Sequence, residues 1–222
     1  MNLFKRLSGY LCLLSAVFLT ACGDKSKESK EQINIYVTPF YDSTPLQINI
    51  GKYSDELKSD SPRKMLELAD EIKECIDEVN AITLYVLAIR LYNLGEKDAS
   101  VYWFYNAQFR GRILLNMAKG LSPTGAPAAL DAFQSLSGTW INGYAFGDPD
   151  KTLSILEQVI KDVRHMGYIQ NAYPGYTFRP ESEQQEIVDE QIEGLRKFMK
   201  YMDENREEIL RQRIENGIKG KY

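Results

Sequence analysis

The sequence predicts a mostly α-helical fold preceded by a short β-hairpin or a pair of extended segments. Three observations carry that prediction. From Ser61 onward, apolar residues recur at intervals of three and four, the period of one buried helix face. Helix punctuation, Ser-Pro before the first stripe and Gly with Asp between later ones, cuts the pattern into pieces of helical length. Only residues 32–53, QINIYVTPFYDSTPLQINIGKY, alternate apolar and polar positions instead.

Within 32–53 the alternation falls in two runs, 33–37 and 46–50, with Pro39, Asp42, Ser43 and Pro45 between them. Two strands alone are marginal in water, so they must lie against the helices. Ser61 and Pro62 then supply an N-cap and a proline at the first helical position. Met65, Leu68, Ala69, Ile72, Cys75, Ile76 and Val79 make the first stripe. A second helix is expected over 81–94 and a third from Asp98 to about Lys119, followed by the loop GLSPTGAP. Shorter helices are expected at 128–136 and 140–146, and a longer one at 151–166. Residues 167–180, rich in Tyr, Gly and Pro, read as irregular. A long last helix starts near Glu181 or Ser182 and carries Val188, Ile192, Leu195, Met199, Met202, Ile209 and Leu210 as its stripe. Its densely charged end, MDENREEILRQRIENGIKGKY, reads as a solvated capping helix or a projecting arm.

Ahead of all this, Lys5 and Arg6 precede the apolar run LCLLSAVFLT, and no acid appears before Asp24. The run is shorter than the ~20 apolar residues a membrane span needs, and its basic start and small-residue exit mark a secretory signal. A buried N-terminal helix with an incidental cysteine is the competing reading. The hydrophilic stretch GDKSKESKEQ argues against it, because a core helix would not stop in ten residues without an apolar side chain. Leu19-Thr20-Ala21-Cys22 resembles the lipobox of bacterial lipoproteins. The resemblance implies that the Cys22 sulfur receives a diacylglycerol, that residues 1–21 are removed, and that the new amino group is acylated. Residues 22–31 then form a flexible tether, and 32–222 a single helical domain with its β segment at 32–53. Several acyl chains give a lasting anchor where one does not. Gly23 after the cysteine implies a protein facing the periplasm, on the inner leaflet of the outer membrane if the cell is Gram-negative; Asp24 follows it.

Removing residues 1–21 leaves 201 residues and takes the net charge from −4 to −6, since Lys5 and Arg6 go with them. That length suits one domain or a short helical array. An acidic balance offers no electrostatic footprint for nucleic acid. Cys12 leaves with the signal and Cys22 is lipidated, so Cys75 is the only thiol remaining and is expected as a small buried residue. The strong metal and phosphate motifs (CxxC, HExxH, a glycine-rich phosphate loop) are missing, and no cofactor or metal is expected.

ITLYVLAIRLYNLGEKDASVYWFYNAQFRGR, residues 82–112, resembles a tetratricopeptide repeat. With Gly95 at the inter-helix glycine, Leu84 opens the motif, and Leu87, Ala88 and Leu91 follow in its first helix. Ser100, Phe104 and Ala107 occupy the small and aromatic positions of the second. The sequence departs from the pattern at Leu84, where the repeat has Trp, and at Arg112, where it has its closing proline. An echo lies 52 residues on: Tyr92-Asn93-Leu94-Gly95-Glu96-Lys97-Asp98 and Tyr144-Ala145-Phe146-Gly147-Asp148-Pro149-Asp150 both read Y-x-apolar-G-acid-x-D. In each, a left-handed glycine would end one helix and aspartate would cap the next. Leu153, Leu156, Val159 and Ile160 would stripe the second hairpin. The resemblance implies a TPR-like right-handed stack of helical hairpins.

Candidate binding residues cluster on this repeat. Consecutive helix positions lie ~100° apart, so the four successive aromatics of VYWFYNAQFRGR, Tyr102 to Tyr105, cannot share one face. Either that helix is central and covered on several sides, or Tyr102 and Trp103, with Arg110 and Arg112, form a partner surface. On the preceding helix, the concave face implied by the repeat presents Ile82, Tyr85, Ile89 and Tyr92, fit for a neighbouring helix or for a peptide. Tyr168, Tyr173, Tyr176 and Phe178 in GYIQNAYPGYTFRP form either a recognition loop or a plug for the end of the stack.

An enzyme reading has less to build on. His165, the single histidine, falls at a helix end where a cation suits the dipole. There is no G-x-S-x-G elbow, and sequence cannot pair two of the 31 acids at glycosidase distance. The reading that results is a membrane-anchored periplasmic lipoprotein that is not an enzyme. Its anchor is the bilayer through acylated Cys22, and its partner is a protein engaged in a scaffold, assembly or immunity-type role. The alternative is a cell-envelope hydrolase acting on peptidoglycan or lipid.

Overall fold

The structure, a computed structural model, describes residues 50–163, 169–218 and 220–222. The expected signal segment, the tether with Cys22, the strand at 33–37 and all of the strand at 46–50 except Ile50 lie outside the described residues, as do His165 and Tyr168. The end of the expected β segment is not extended: Ile50 has φ −98° and ψ 16°, and Gly51–Tyr53 and Glu56–Lys58 form short 3-10 turns. Tyr53 and Leu57 are buried beneath them and hold this entry segment to the helices.

Helix α1, Pro62–Glu74, starts as its sequence signals, with Ser61 Oγ accepting from Lys64 N at 3.4 Å and proline in its first turn. It buries Met65, Leu68, Ala69 and Ile72. The stripe was expected to run on through Cys75, Ile76 and Val79, but Cys75 is the C-cap and Ile76–Glu78 is a 3-10 turn. Cys75 is accordingly half-buried, its Sγ 2.9 Å from the Tyr53 hydroxyl.

Helices α2, Ala81–Asn93, and α3, Lys97–Met117, fold back on each other. Asn80 Oδ1 accepts from Thr83 N at 2.9 Å and starts α2. Gly95, at φ +89°, ends it, with Glu96 N donating to Leu91 O at 2.9 Å. That backbone conformation favours glycine because it has no Cβ. Ser100 Oγ donates to Ala88 O at 2.8 Å, and a Cβ on Gly111 would lie 3.7 Å from Ala81 Cβ, so the two helices run antiparallel.

Helix α4, Ala126–Ala145, is one continuous element where two short helices were expected. The stretch left between those two helices, including Ser137 and Gly138, is helical. Gly138 faces Phe104, whose Cζ would be 3.6 Å from an added Cβ, and Ser137 Oγ returns its hydrogen bond to Phe133 O at 2.6 Å. Helix α5, Pro149–Val163, follows.

Helix α6, Glu181–Glu204, and helix α7, Arg206–Glu215, replace the single long helix expected at the end. They part at Asn205, which has φ −117° and ψ 21° and donates from Nδ2 to Tyr201 O at 2.7 Å. A two-stranded sheet escaped the sequence reading: β1, Ala118–Lys119, pairs antiparallel with β2, Thr177–Phe178, in the register Ala118 to Phe178. It pins the chain ahead of α6 to the end of α3, helped by Arg179 N donating to Met117 O at 2.8 Å.

The architecture is mostly α, with this small sheet among the described residues. Helix α3 is its axis and packs against α2, α4, α5 and α6. A helix apolar around its whole circumference is one enclosed on all sides, and α3 buries residues in every turn from Ser100 to Met117.

Candidate functional site

The aromatic stretch singled out in the sequence is core. Tyr85 is 1% exposed, Tyr92 and Trp103 3%, and Arg110 2%. The reason is the position of α3: with four helices around it, consecutive side chains that diverge by ~100° still all find a neighbour. The Tyr85 ring meets Phe104 edge-on at 5.8 Å and Phe133 in a stack at 6.2 Å. Trp103 is tucked against Tyr102 at 5.1 Å. Of the six candidate residues, only Tyr102 and Arg112 remain half-exposed. Burial pushes the Tyr85 and Tyr102 hydroxyls well above the ordinary tyrosine range, and for Tyr102 the hydrogen bond to Asp162 acts the same way.

Two polar clusters tie this core to its shell. Tyr102 Oη donates to Asp162 Oδ2, which Lys73 Nζ approaches at 3.2 Å, while Gln158 Nε2 donates to Asp162 Oδ1 at 2.9 Å. Lys73 also lies over the Tyr102 ring, 5.0 Å from its centre. Burial alone would raise the Asp162 carboxyl, but the hydrogen bonds from Tyr102, Gln158 and Lys73 bring it below its ordinary value. The arrangement braces α1, α3 and α5 against one another.

Arg110, deeper in, donates from Nη1 to Ile76 O and Asp77 Oδ1, both at 3.3 Å, and its Nε has no partner. Burial lowers its guanidinium below the ordinary value, with Asp77 acting the other way. Near it, Tyr173 accepts at its hydroxyl from Ala81 N at 2.8 Å, occupying the first orphan donor of α2. Tyr173 is thus tied to the start of α2, while Tyr176 stays 39% exposed.

The described surface offers little enclosed space for a ligand. Between α3 and α6, a crevice walled by Tyr105, Gln108, Phe109, Arg112, Gln191 and Leu195 admits about 10 Å³, room for about one water molecule. Gln108 Nε2, buried there without a partner, is a donor such a water would satisfy. A shallow groove of about 640 Å³ runs between α1 and the turn ahead of it, with Asp55, Glu56, Glu67 and Glu71 among its walls and Lys58 and Lys64 between them. Asp55 is held by Lys58 at 2.7 Å. Among the described residues no group of three or more His, Cys, Asp or Glu is placed to hold a metal ion.

The two echoed segments come together. Lys97 Nζ lies over both tyrosines, 5.1 Å from the Tyr92 ring centre and 5.4 Å from that of Tyr144. Tyr144 Oη donates to Asp98 Oδ1 at 2.7 Å, and Asp98 pairs with Lys151 at 3.2 Å. Their expected capping roles need correction. Asp98 is engaged by Tyr144 and Lys151, and α3 starts at Glu96 without a side-chain cap. Helix α5 is capped by Asp148, whose Oδ1 accepts from Lys151 N at 3.0 Å, whereas Asp150 pairs with Arg206 at 2.8 Å. Gly95 is left-handed but Gly147 is not; a Cβ on Gly147 would lie 3.0 Å from Tyr144 O and 3.2 Å from Arg213 Nη2.

Sequence reasoning missed the aromatic edge of α4. Trp140 meets Tyr92 edge-on at 6.5 Å on one side and Tyr222 at 5.9 Å on the other. Trp140, Gly143 and Tyr144 share a face at helical spacing, which was the available signal.

No family model matches the chain, and no solved structure matches it. It is similar to an uncharacterized protein of Haemophilus influenzae, 27% identical over 155 residues. The match covers 68% of this chain and 60% of that protein's length.

Proposed function

We propose that this chain is a lipid-anchored protein of the bacterial envelope, attached through acylated Cys22 and carrying a helical body that engages a protein partner. The observation behind the proposal is the order of residues at the start: basic Lys5 and Arg6, an apolar run, Leu19-Thr20-Ala21-Cys22, then a hydrophilic tether. The described residues contain no helix long and apolar enough to cross a membrane, so in this reading the acyl chains supply the attachment. The body beyond the tether is a helical core whose buried tyrosines are structural, so in this reading the partner surface lies on its rim. The role is that of a scaffold, assembly or immunity-type module.

Intact-mass analysis of the membrane fraction tests the anchor. The expected species begins at Cys22 and carries diacylglycerol on sulfur and an acyl group on nitrogen. Cys22→Ala should leave the membrane fraction. A chain that retains Met1 and carries a free sulfur at Cys22 would overturn the reading. Crosslinking in intact cells followed by partner identification tests the second half, with a stoichiometric protein partner expected.

A further inference from the structure

Helix α6 runs along α3 in the opposite direction. The Tyr105 ring meets Phe198 at 6.3 Å, and the sheet joins Ala118, just past α3, to Phe178, just ahead of α6. Between these two fastenings α3 presents Tyr105, Gln108, Phe109 and Arg112, spaced by three and four as one helix face requires. Gln191 and Leu195, one turn apart on α6, stand across from them. Gln108 is 4% exposed, and its Nε2 has no hydrogen-bond partner. The Tyr105 hydroxyl is engaged elsewhere, donating to Asn142 Oδ1 at 3.0 Å. A buried donor without an acceptor forfeits the hydrogen bonds it makes to solvent in the unfolded chain.

The crevice between the helices decides what can serve as that acceptor. Its volume of about 10 Å³ admits one water-sized molecule and no organic group. A cation is unsuited to it, because Gln108 offers a donor and Arg112 a positive charge, and among the described residues its walls carry no carboxylate. A halide is larger than a water molecule and has no proton to offer the side-chain oxygen of Gln191. Water fits the space, accepts from one side and donates to the other.

We propose that this crevice is a binding site for a single water molecule that accepts from Gln108 Nε2 and donates to Gln191 Oε1, hydrogen-bonding α6 to the central helix. A bridging water is nearly as favourable in enthalpy as a direct hydrogen bond, at a modest cost in immobilisation. The bridge also marks one axial register, since sliding α6 by a turn would carry Gln191 about 5 Å away from Gln108. None of this requires the Cys22 anchor or a partner, so failure here leaves the envelope reading standing.

Overhauser spectra of the full chain in detergent, with glutamine side-chain amides labelled with nitrogen-15, read the site directly. The Gln108 Nε2 protons, assigned by their loss in Gln108→Met, should show water cross-peaks of opposite sign in the laboratory and rotating frames, the mark of a bound water. At mildly acidic pH, where guanidinium protons exchange slowly, these peaks should persist in Tyr105→Phe, which removes the hydroxyl from the wall. Gln191→Leu keeps the bulk but removes the second partner, and should weaken them several-fold. Gln185→Leu, at an exposed position of the same helix, should leave them unchanged. Exchanging chloride for sulfate at constant ionic strength should not move the Gln108 amide signals. Gln108 protons with no water cross-peak, or with a direct cross-peak to the Gln191 amide in its place, would overturn the site. A chloride-dependent shift that saturates would make the occupant an ion and overturn the water. Cross-peaks undiminished in Gln191→Leu would overturn the bridge to α6.

Discussion

Leu84, Leu87, Leu91, Val101 and Phe104 are fully enclosed in the α2/α3 hairpin, whereas α7 leaves Leu210 39% and Ile214 58% exposed and buries nothing. The two regions also differ in how their polar groups are used. In the hairpin, Ser100 bonds internally to Ala88 O, and Tyr102 reaches out to the Asp162 cluster on α5. Along α7 the polar contacts are charge pairs on the surface: Arg206 with Asp150 and Asp203, and Arg211 with Glu208 and Glu215. Apolar burial stabilises by ~25 cal/mol per Å², and an exposed ion pair by ~0–1 kcal/mol. One region therefore contributes most of the buried apolar surface, and the other is held at the surface by charge pairs.

Substitutions can break or sharpen that contrast. Phe104→Ala removes a ring enclosed by Tyr85, Tyr105 and Gly138 and should cost ~3–5 kcal/mol in urea denaturation. A cost below ~1 kcal/mol would deny α3 its central place. Arg110→Ala should cost ~2 kcal/mol or more, while Arg110→Met should recover most of it. Much of what Arg110 contributes is the packing of its stem, and a buried ion pair is often replaceable by an apolar side chain. Asn80→Ala deletes the α2 cap and should cost ~1 kcal/mol. Arg206→Ala, at the start of α7, should cost at most ~0.5 kcal/mol and show the strongest salt dependence of its effect. A loss as large as that of Phe104→Ala would erase the contrast.

A fifth measurement uses pH. The Asp162 carboxyl is held below its ordinary value in the folded chain, so the unfolded chain binds its proton more readily. The stability this contributes is complete above the ordinary carboxyl range near pH ~4 and is lost as pH falls through and below that range. Asp162→Asn should flatten this part of the stability profile, a smaller effect than any core truncation.

Where the sequence announced an element, it did so through local chemistry. Ser61-Pro62 and Asn80 start helices by bonding their own neighbours, and Gly95 ends one by a conformation it alone favours. The failures involve partners distant in sequence. The two helices expected at 128–136 and 140–146 are one, and Gly138 between them packs on Phe104, which is 34 positions earlier. The strands at Ala118–Lys119 and Thr177–Phe178 are too short to show any period. The aromatics of α3 are equally compatible with a surface and with an axis, and only the number of neighbouring helices decides between them. The contact of Trp140 with Tyr222 was less legible still, since Tyr222 lies in a segment that reads as a charged tail.

The hydroxyl of Tyr173 that receives the amide of Ala81 lies 92 positions further along the chain. A chain delivered in order from its first residue presents the beginning of α2 before the group that completes it arrives. Until residue 173 arrives, the hairpin carries an exposed donor at its first turn. Its final consolidation is thereby deferred to a late moment of that delivery.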